Sequence, residues 1–314
     1  MQKSVRTRLS SFEKRYPTYI GYVYAILSNS VAVFGNFFIQ NVSKNFTHNQ
    51  TFHFVGVQLV LYNYAAIKAQ KLDSCPKNPR VTKMLLLRAL TGMIAGIFFY
   101  GGLPLVPLSE GTVIQMSTPV ITGILAIGFL SEKYDRTLFI TTILSVTGVL
   151  LITKPSFLFG QATAAGDYPS RSLGLILLLI CAFITSLSQI LLRKLGSVTN
   201  AYTTALYLGL GFSLSASVSE VIQGVKGPGL EQYLWVLLLG LLRFVTHALN
   251  NKSYAFAEAG KISLISYSQV PIAYLVDIII VGIKPELFSV LGSACVFSSV
   301  FVMLAKQYKK EQSK

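Results

Sequence analysis

Charge is scarce in this sequence. Only 12% of its 314 residues are charged, about half the share in an average soluble domain. A water-soluble chain of this size could not cover its surface with so few ionic groups. Acidic residues are scarcer still, 12 Asp+Glu against 27 Lys+Arg, a net charge of +15. On a soluble protein that excess would point to nucleic acid. Here the basic residues sit in short loops and tails between apolar runs, with no basic stripe interleaved with aromatics, so nucleic acid is excluded as a partner. The three cysteines, Cys75, Cys181 and Cys295, are dispersed and odd in number, which gives no disulfide framework. The three histidines include His48 and His53, which have no partner at metal-ligand spacing. There is no glycine-rich phosphate loop with Lys-Ser/Thr and no nucleophile elbow. An ATP-driven pump, an enzyme and a bound cofactor are therefore not expected.

Apolar residues are plentiful: 52% of the chain, with a mean hydropathy of +0.57. They fall into ten runs at about 18–40, 52–70, 84–105, 109–130, 137–153, 172–193, 202–223, 233–254, 261–282 and 287–305, each of the length a bilayer-crossing helix needs. The expected class is an all-α membrane protein with ten transmembrane helices. Only SEKYDR separates the fourth run from the fifth, so a tight helical hairpin is expected there. Residues 1–16 are basic, but the apolar run behind them is too long for a signal-peptide core. A mitochondrial presequence, suggested by Arg and Ser, is weakened by Glu13.

Ten spans put both ends on one side. The loops and tails on that side hold 20 Lys+Arg, the opposite loops hold 5, and Arg88 and Arg243 lie inside spans. By the positive-inside rule both termini face the cytosol or its equivalent. Three N-x-S/T sequons, at Asn41, Asn45 and Asn49, lie in the first opposite-side loop. That loop is short and close to the membrane, which favours unused sequons.

The two halves match at a constant offset. Pro119 and Pro271 are 152 residues apart, as are Lys154 and Lys306, while Gly21 and Gly174 are 153 apart. Glu132 falls opposite Lys284, just before Glu286. The unit is five helices, an odd number, so the second copy enters the membrane inverted, as in many secondary transporters. The expected organisation is a basic tail (1–17), a first repeat (18–153), a linker (154–171), a second repeat (172–305) and a basic tail (306–314). Each proline sits mid-span, where it removes a backbone donor and loosens the helix. Matched interruptions in two halves point to a central binding site; packing kinks are the plainer explanation.

The stretch GTVIQMSTPVITGILAIGFLSEKYDRTLFITTILSVTGVLLITKPSFLFG resembles the EamA repeat of the drug/metabolite transporter superfamily. Its carriers are Pro119, Glu132–Lys133, Gly148 and Lys154–Pro155. The ending KPSFLFG looks most like solute carrier family 35, group G. The resemblance spans nearly the whole chain and weakens in the second half, where Lys284 replaces the hairpin glutamate. It implies ten helices in two inverted repeats, cytosolic termini and a solute cavity between the halves. Members carry nucleotide sugars, phosphorylated sugars, organic anions, amino acids or drugs, so the fold alone does not name the solute.

A charge at bilayer depth costs about 3 kcal/mol and must be shielded, paired or used. Arg243, His247 and Asn251 recur at four-residue spacing on one helix face. They read as an anion-binding arm, or Arg243 pairs with Asp277. Arg88, followed by Gly92 and Gly96, either joins the site or snorkels to the interface. Asp277 is a candidate for proton coupling, for an ion pair or for cavity lining; Glu220 reads as interfacial. Gln115 and Tyr267 occupy equivalent positions one turn before their prolines, and Gln269 lies two before Pro271. These could bind solute or satisfy the loosened backbone. Gln189 and Asn36 line the cavity or bond between helices, and Tyr100 and Tyr254 read as belt aromatics. The expected function is secondary transport of a small, anionic metabolite by alternating access, with the lipid bilayer and the solute as partners. The alternatives are a proton-coupled exporter of neutral or cationic compounds and a transporter-like scaffold. Association as a homodimer or within a membrane complex stays open.

Overall fold

The computed structural model describes residues 15–42, 48–106, 111, 114–154, 170–223, 230–282 and 284–313. The loop 43–47, with the sequon at Asn45, and most of the 154–171 linker lie outside them. The described chain is helical: α1 (Pro17–Val42), α2 (His48–Ala69), α3 (Pro79–Gly102), α4 (Thr118–Leu130), α5 (Arg136–Thr153), α6 (Arg171–Leu195), α7 (Ala201–Gln223), α8 (Leu230–Phe256), α9 and α10 (Leu287–Gln312). The ninth span is composite: α9a (Ala259–Ile265), a 3-10 turn (Ser266–Ser268), α9b (Gln269–Val276) and a π turn (Asp277–Val281). Six segments among the described residues are long and apolar enough to cross a bilayer, at 79–99, 136–153, 171–195, 233–256, 259–280 and 287–312.

Local chemistry sets the ends of these helices. Asn78 caps α3 by accepting the Arg80 N–H at 3.0 Å, with Pro79 in the first turn, where a missing donor costs nothing. In the SEKYDR hairpin, Ser131 is left-handed (φ 53°) and ends α4. Asp135 then starts α5 by accepting the Leu138 N–H at 2.8 Å.

The packing follows the repeat. α2 lies on α7 and α5 on α10, each helix against its own counterpart, while α1 on α8 is mirrored by α6 on α3. Gly56 and Gly209, 153 residues apart, meet where α2 crosses α7: a Cβ on Gly209 would sit 3.0 Å from the Gly56 carbonyl oxygen. On the other self-pair, a Cβ on Gly148 would come within 2.6 Å of the Gly292 carbonyl oxygen. There the Ser145 and Ser299 hydroxyls bond across the contact at 2.6 Å. Small residues that let backbones approach are the usual way membrane helices associate.

Residues 306–312, expected as tail, continue α10 to Gln312. Their polar side chains are used. Glu311 accepts the Thr18 N–H at 2.9 Å and the Tyr19 N–H at 3.3 Å, capping α1, and Gln307 donates to Glu311 at 3.0 Å. Lys306 pairs with Asp135 at 2.7 Å, and its repeat equivalent Lys154 pairs with Glu286 at the opposite end of the same helix pair.

Burial alone would raise the Asp135 carboxyl. The hydrogen bonds from Lys306 and the Leu138 N–H, with the charges of Lys306 and Lys261, bring it below its ordinary range instead. Its contribution to stability is therefore present above the unfolded carboxylate pKa, near 4, and is lost as pH falls through the lowered folded value. Asn caps as well as Asp, so Asp135→Asn isolates the charge. The variant should melt slightly below the parent at pH 7, by less than about 1 kcal/mol for so exposed a pair. Melting curves at pH 7 and pH 3 should show that deficit closing in acid.

Candidate functional site

The site is built around the two interrupted spans. Pro119 and Pro271 are both buried. At the first break, three carbonyls find side-chain hydroxyls. Met116 O accepts from Tyr267 Oη at 2.8 Å, Thr118 O from Ser186 Oγ at 3.1 Å and Pro119 O from Ser263 Oγ at 3.2 Å. At the second, Asn29 Nδ2 donates to Ile265 O and to Ser268 Oγ, both at 2.9 Å, and Gln269 Nε2 donates to Asn29 Oδ1 at 3.0 Å. A loosened carbonyl at membrane depth must be satisfied by protein or by a wet cavity. Tyr267 thus meets a carbonyl of the first break, and Gln269 braces Asn29, which meets one of the second. A cavity of about 250 Å³ lies beside the Pro119 break, lined by Met116, Val120, Val146, Val149, Leu150 and Tyr267 among others.

Arg88 does not snorkel. Because α3 begins at Pro79 rather than at residue 84, Arg88 lies nine residues inside it, about 13 Å along the axis. Its side chain is buried, the residue being 4% exposed. One terminal nitrogen, Nη1, donates to Ser188 O at 2.7 Å and to Ser188 Oγ at 2.8 Å, while Nε has no protein partner. No carboxylate forms an ion pair with it among the described residues. Gln189, the next residue on α6, accepts from Thr122 Oγ1 at 2.9 Å and from Tyr254 Oη at 2.8 Å. Tyr254, expected as a belt aromatic, is 1% exposed and sits in this network instead.

Arg243 is half-buried and donates through Nη2 to Asn36 Oδ1 at 2.6 Å. This holds the α8 guanidinium against α1, beside Gly35. The Arg243–Asp277 ion pair weighed from sequence is not among the ion pairs of the described residues; Asp277 sits half-buried in the π turn that ends the ninth span. His247 stands within electrostatic reach of both Arg243 and Arg88, its ring edge-on to Phe212 at 6.1 Å. Asn251, placed on the same face, is buried and turned to α7, donating to Ala201 O at 2.8 Å. It anchors a helix junction rather than extending the arm. Gln115 is half-buried just before the Pro119 break, its side chain within hydrogen-bonding reach of the Cys181 thiol.

Four participants were not read from the sequence as site residues. Asn29 braces the second break, Ser188 holds Arg88, and Glu132 and Arg193 join the helix ends at the face carrying the termini. Glu132 accepts the Ala259 and Gly260 N–H groups, at 2.7 and 2.9 Å. The hairpin glutamate was visible as a family mark, but its partner 127 residues away was not. Asn29, a lone amide mid-span, was the signal open to sequence reading.

A family model described as the EamA-like transporter family matches residues 19–154 and 172–305. Human solute carrier family 35 member G1 is 28% identical over 243 residues, 76% of this chain and 66% of that protein. Its mouse counterpart is 29% identical over 229 residues, 71% of this chain and 61% of that one. The chain thus spans less than two thirds of the length of these relatives where they match. A solved crystal structure shares the fold with a TM-score of 0.77, covering 94% of this chain and 99% of the other at 14% identity.

Proposed function

The chain belongs to the EamA-like transporter family, and from that membership we propose that it carries a small anionic solute across the bilayer by alternating access. One observation carries the anionic reading. Arg88 is buried within the bundle, and among the described residues it is held by the neutral oxygens of Ser188 with no carboxylate paired to it. A charge at that depth costs about 3 kcal/mol or more unless something answers it. A carboxylate or phosphate of the solute would supply the missing counter-charge, and a guanidinium offers forked donors suited to either. Arg243 and His247, the latter within electrostatic reach of both guanidiniums, would bind the same solute, and Gln115 would bond its polar part.

The alternating-access reading is supported by the inverted pairing of the helices and by the two breaks. α4 and α9a pack together near the termini, whereas α9b packs on α1, α10 and α5. This reads as a state closed at the face carrying the termini. By the distribution of basic residues the closed face would be cytosolic.

Purified protein in liposomes tests the proposal. Carboxylates or phosphorylated compounds should raise the melting temperature and drive uptake, whereas amines should not. Arg243→Ala should weaken uptake by at least about tenfold, the loss of one charge-assisted contact worth roughly 1.5–3 kcal/mol. Unchanged affinity in that variant would remove Arg243 from the site. A second reading, proton-coupled export of neutral or cationic compounds, draws on Asp277, which lies in a π turn, a feature frequent at functional sites. It would prevail if Asp277→Asn stopped pH-driven flux while Arg243→Ala did not.

A further inference from the structure

The face that carries the termini is fastened by one carboxylate. Glu132, in the α4–α5 hairpin of the first repeat, accepts the Ala259 N–H at 2.7 Å through Oε1 and the Gly260 N–H at 2.9 Å through Oε2. These are the first two amides of α9a, so the carboxylate caps a helix of the opposite repeat with both oxygens. Arg193, at the end of α6, backs the contact. Its Nη1 donates to Tyr254 O at 2.8 Å and Ala255 O at 2.9 Å, and its Nε lies 3.9 Å from Glu132 Oε1. The ends of α4, α6, α8 and α9a therefore converge on two side chains. Gly196 lets the α6 end close tightly on α8, since a Cβ there would fall 2.6 Å from the Ala255 Cα.

Among the described residues the other face shows no equal contact. At the position 152 residues on, Lys284 stands where the first repeat has Glu132, and an ammonium can only donate. The nearby Glu286 is engaged by Lys154 within the α5–α10 pair. Directly outside the fastened junction lies a cavity of about 290 Å³, lined by Arg15, Arg193, Lys261 and Lys310 along with Glu258 and Glu311.

We propose that Glu132, backed by Arg193, is the gating latch of the transport cycle. It holds the ligand-free protein shut at the face carrying the termini and must release the Ala259 and Gly260 amides for solute to leave there into the basic vestibule. This rests on the alternating-access reading. Glu132 sets the population of the latched state without touching solute. Such a residue is a positioning residue, and its signature is a shift between conformations.

The test is a distance measurement without solute. Spin labels at Lys133 and Lys252, with the three cysteines replaced by alanine, straddle the junction. The parent should give one short-distance population. Glu132→Ala should raise the ratio of long to short by at least about tenfold, as expected when a charge-assisted hydrogen bond is lost. Glu132→Gln, which keeps one acceptor oxygen, should shift less, and Arg193→Gln, which leaves the carboxylate in place, should shift in the same direction. Monodisperse elution and a melting temperature near the parent's identify folded variants. If Glu132→Ala does not fold, Glu132→Gln and Arg193→Gln decide. Folded variants with the parent's distribution overturn the proposal. The distances are read without solute, so a failure of anion uptake in the parent bears on the solute reading alone.

Discussion

Arg88→Met should abolish uptake while leaving the protein as stable as the parent, or more so. The two halves of that result separate function from structure. A buried guanidinium that served stability would be answered by a carboxylate, and removing it would leave that carboxylate stranded, at a cost of about 3–5 kcal/mol. Among the described residues Arg88 is held by Ser188, with no carboxylate beside it and an Nε left over. Replacing such a group by an apolar side chain of similar length costs little. Solute binding, by contrast, would lose its most deeply placed counter-charge, and uptake should fall by about a hundredfold or more. Arg88→Lys should keep part of the uptake, since the charge remains but the fork is lost. Initial uptake rates and melting temperatures measured on the same preparations check both halves. Retained uptake in a well-folded Arg88→Met would end the anion assignment. A collapse of the fold would instead make Arg88 a structural residue.

Gly148→Val should prevent the bundle from assembling. At Gly148 a Cβ would come 2.6 Å from the Gly292 carbonyl oxygen and 2.7 Å from Val296 Cγ2. The first of these is backbone and cannot rotate away. α5 and α10 would have to part, which would also break the bond between the Ser145 and Ser299 hydroxyls and loosen the Lys306–Asp135 and Lys154–Glu286 pairs at its two ends. Loss of several kcal/mol is expected, as for overpacking with no room to relax. The readout is the yield of monodisperse protein and its melting temperature. Gly128→Ala is the control, because a Cβ there meets nothing within 4 Å; it should behave as the parent does.

The spans were legible because hydrophobic length is a strong signal, and helix ends agree with the sequence reading to within a few residues for most spans. The inverted repeat was legible for the same reason: Pro119 and Pro271 are rare residues at a fixed offset. α10 was read short because its last turns are polar, and polarity reads as tail unless the partner is known. For Arg88 both roles stayed open in the sequence: the start of α3 was read five residues late, and the Ser188 partner on α6 leaves no periodic signal. Side-chain roles at the breaks could not be read at all. Periodicity shows which residues share a face, but it does not show that the Tyr267 hydroxyl reaches the Met116 carbonyl of the other repeat. Asn251 fails in the same way: it shares a face with Arg243, yet the α7 end claims its amide.

The cap on α1 has a consequence for biogenesis. Thr18 and Tyr19 have their amides met by Glu311, 293 and 292 residues further along the chain. The ribosome delivers these partners at opposite ends of synthesis. The first helix must therefore wait in the membrane, its leading amides bonded only to water or headgroups, until the final turn of the last helix has been made. Assembly then finishes by stitching the earliest element to the latest, and a stop codon ahead of Glu311 would leave that cap unmade.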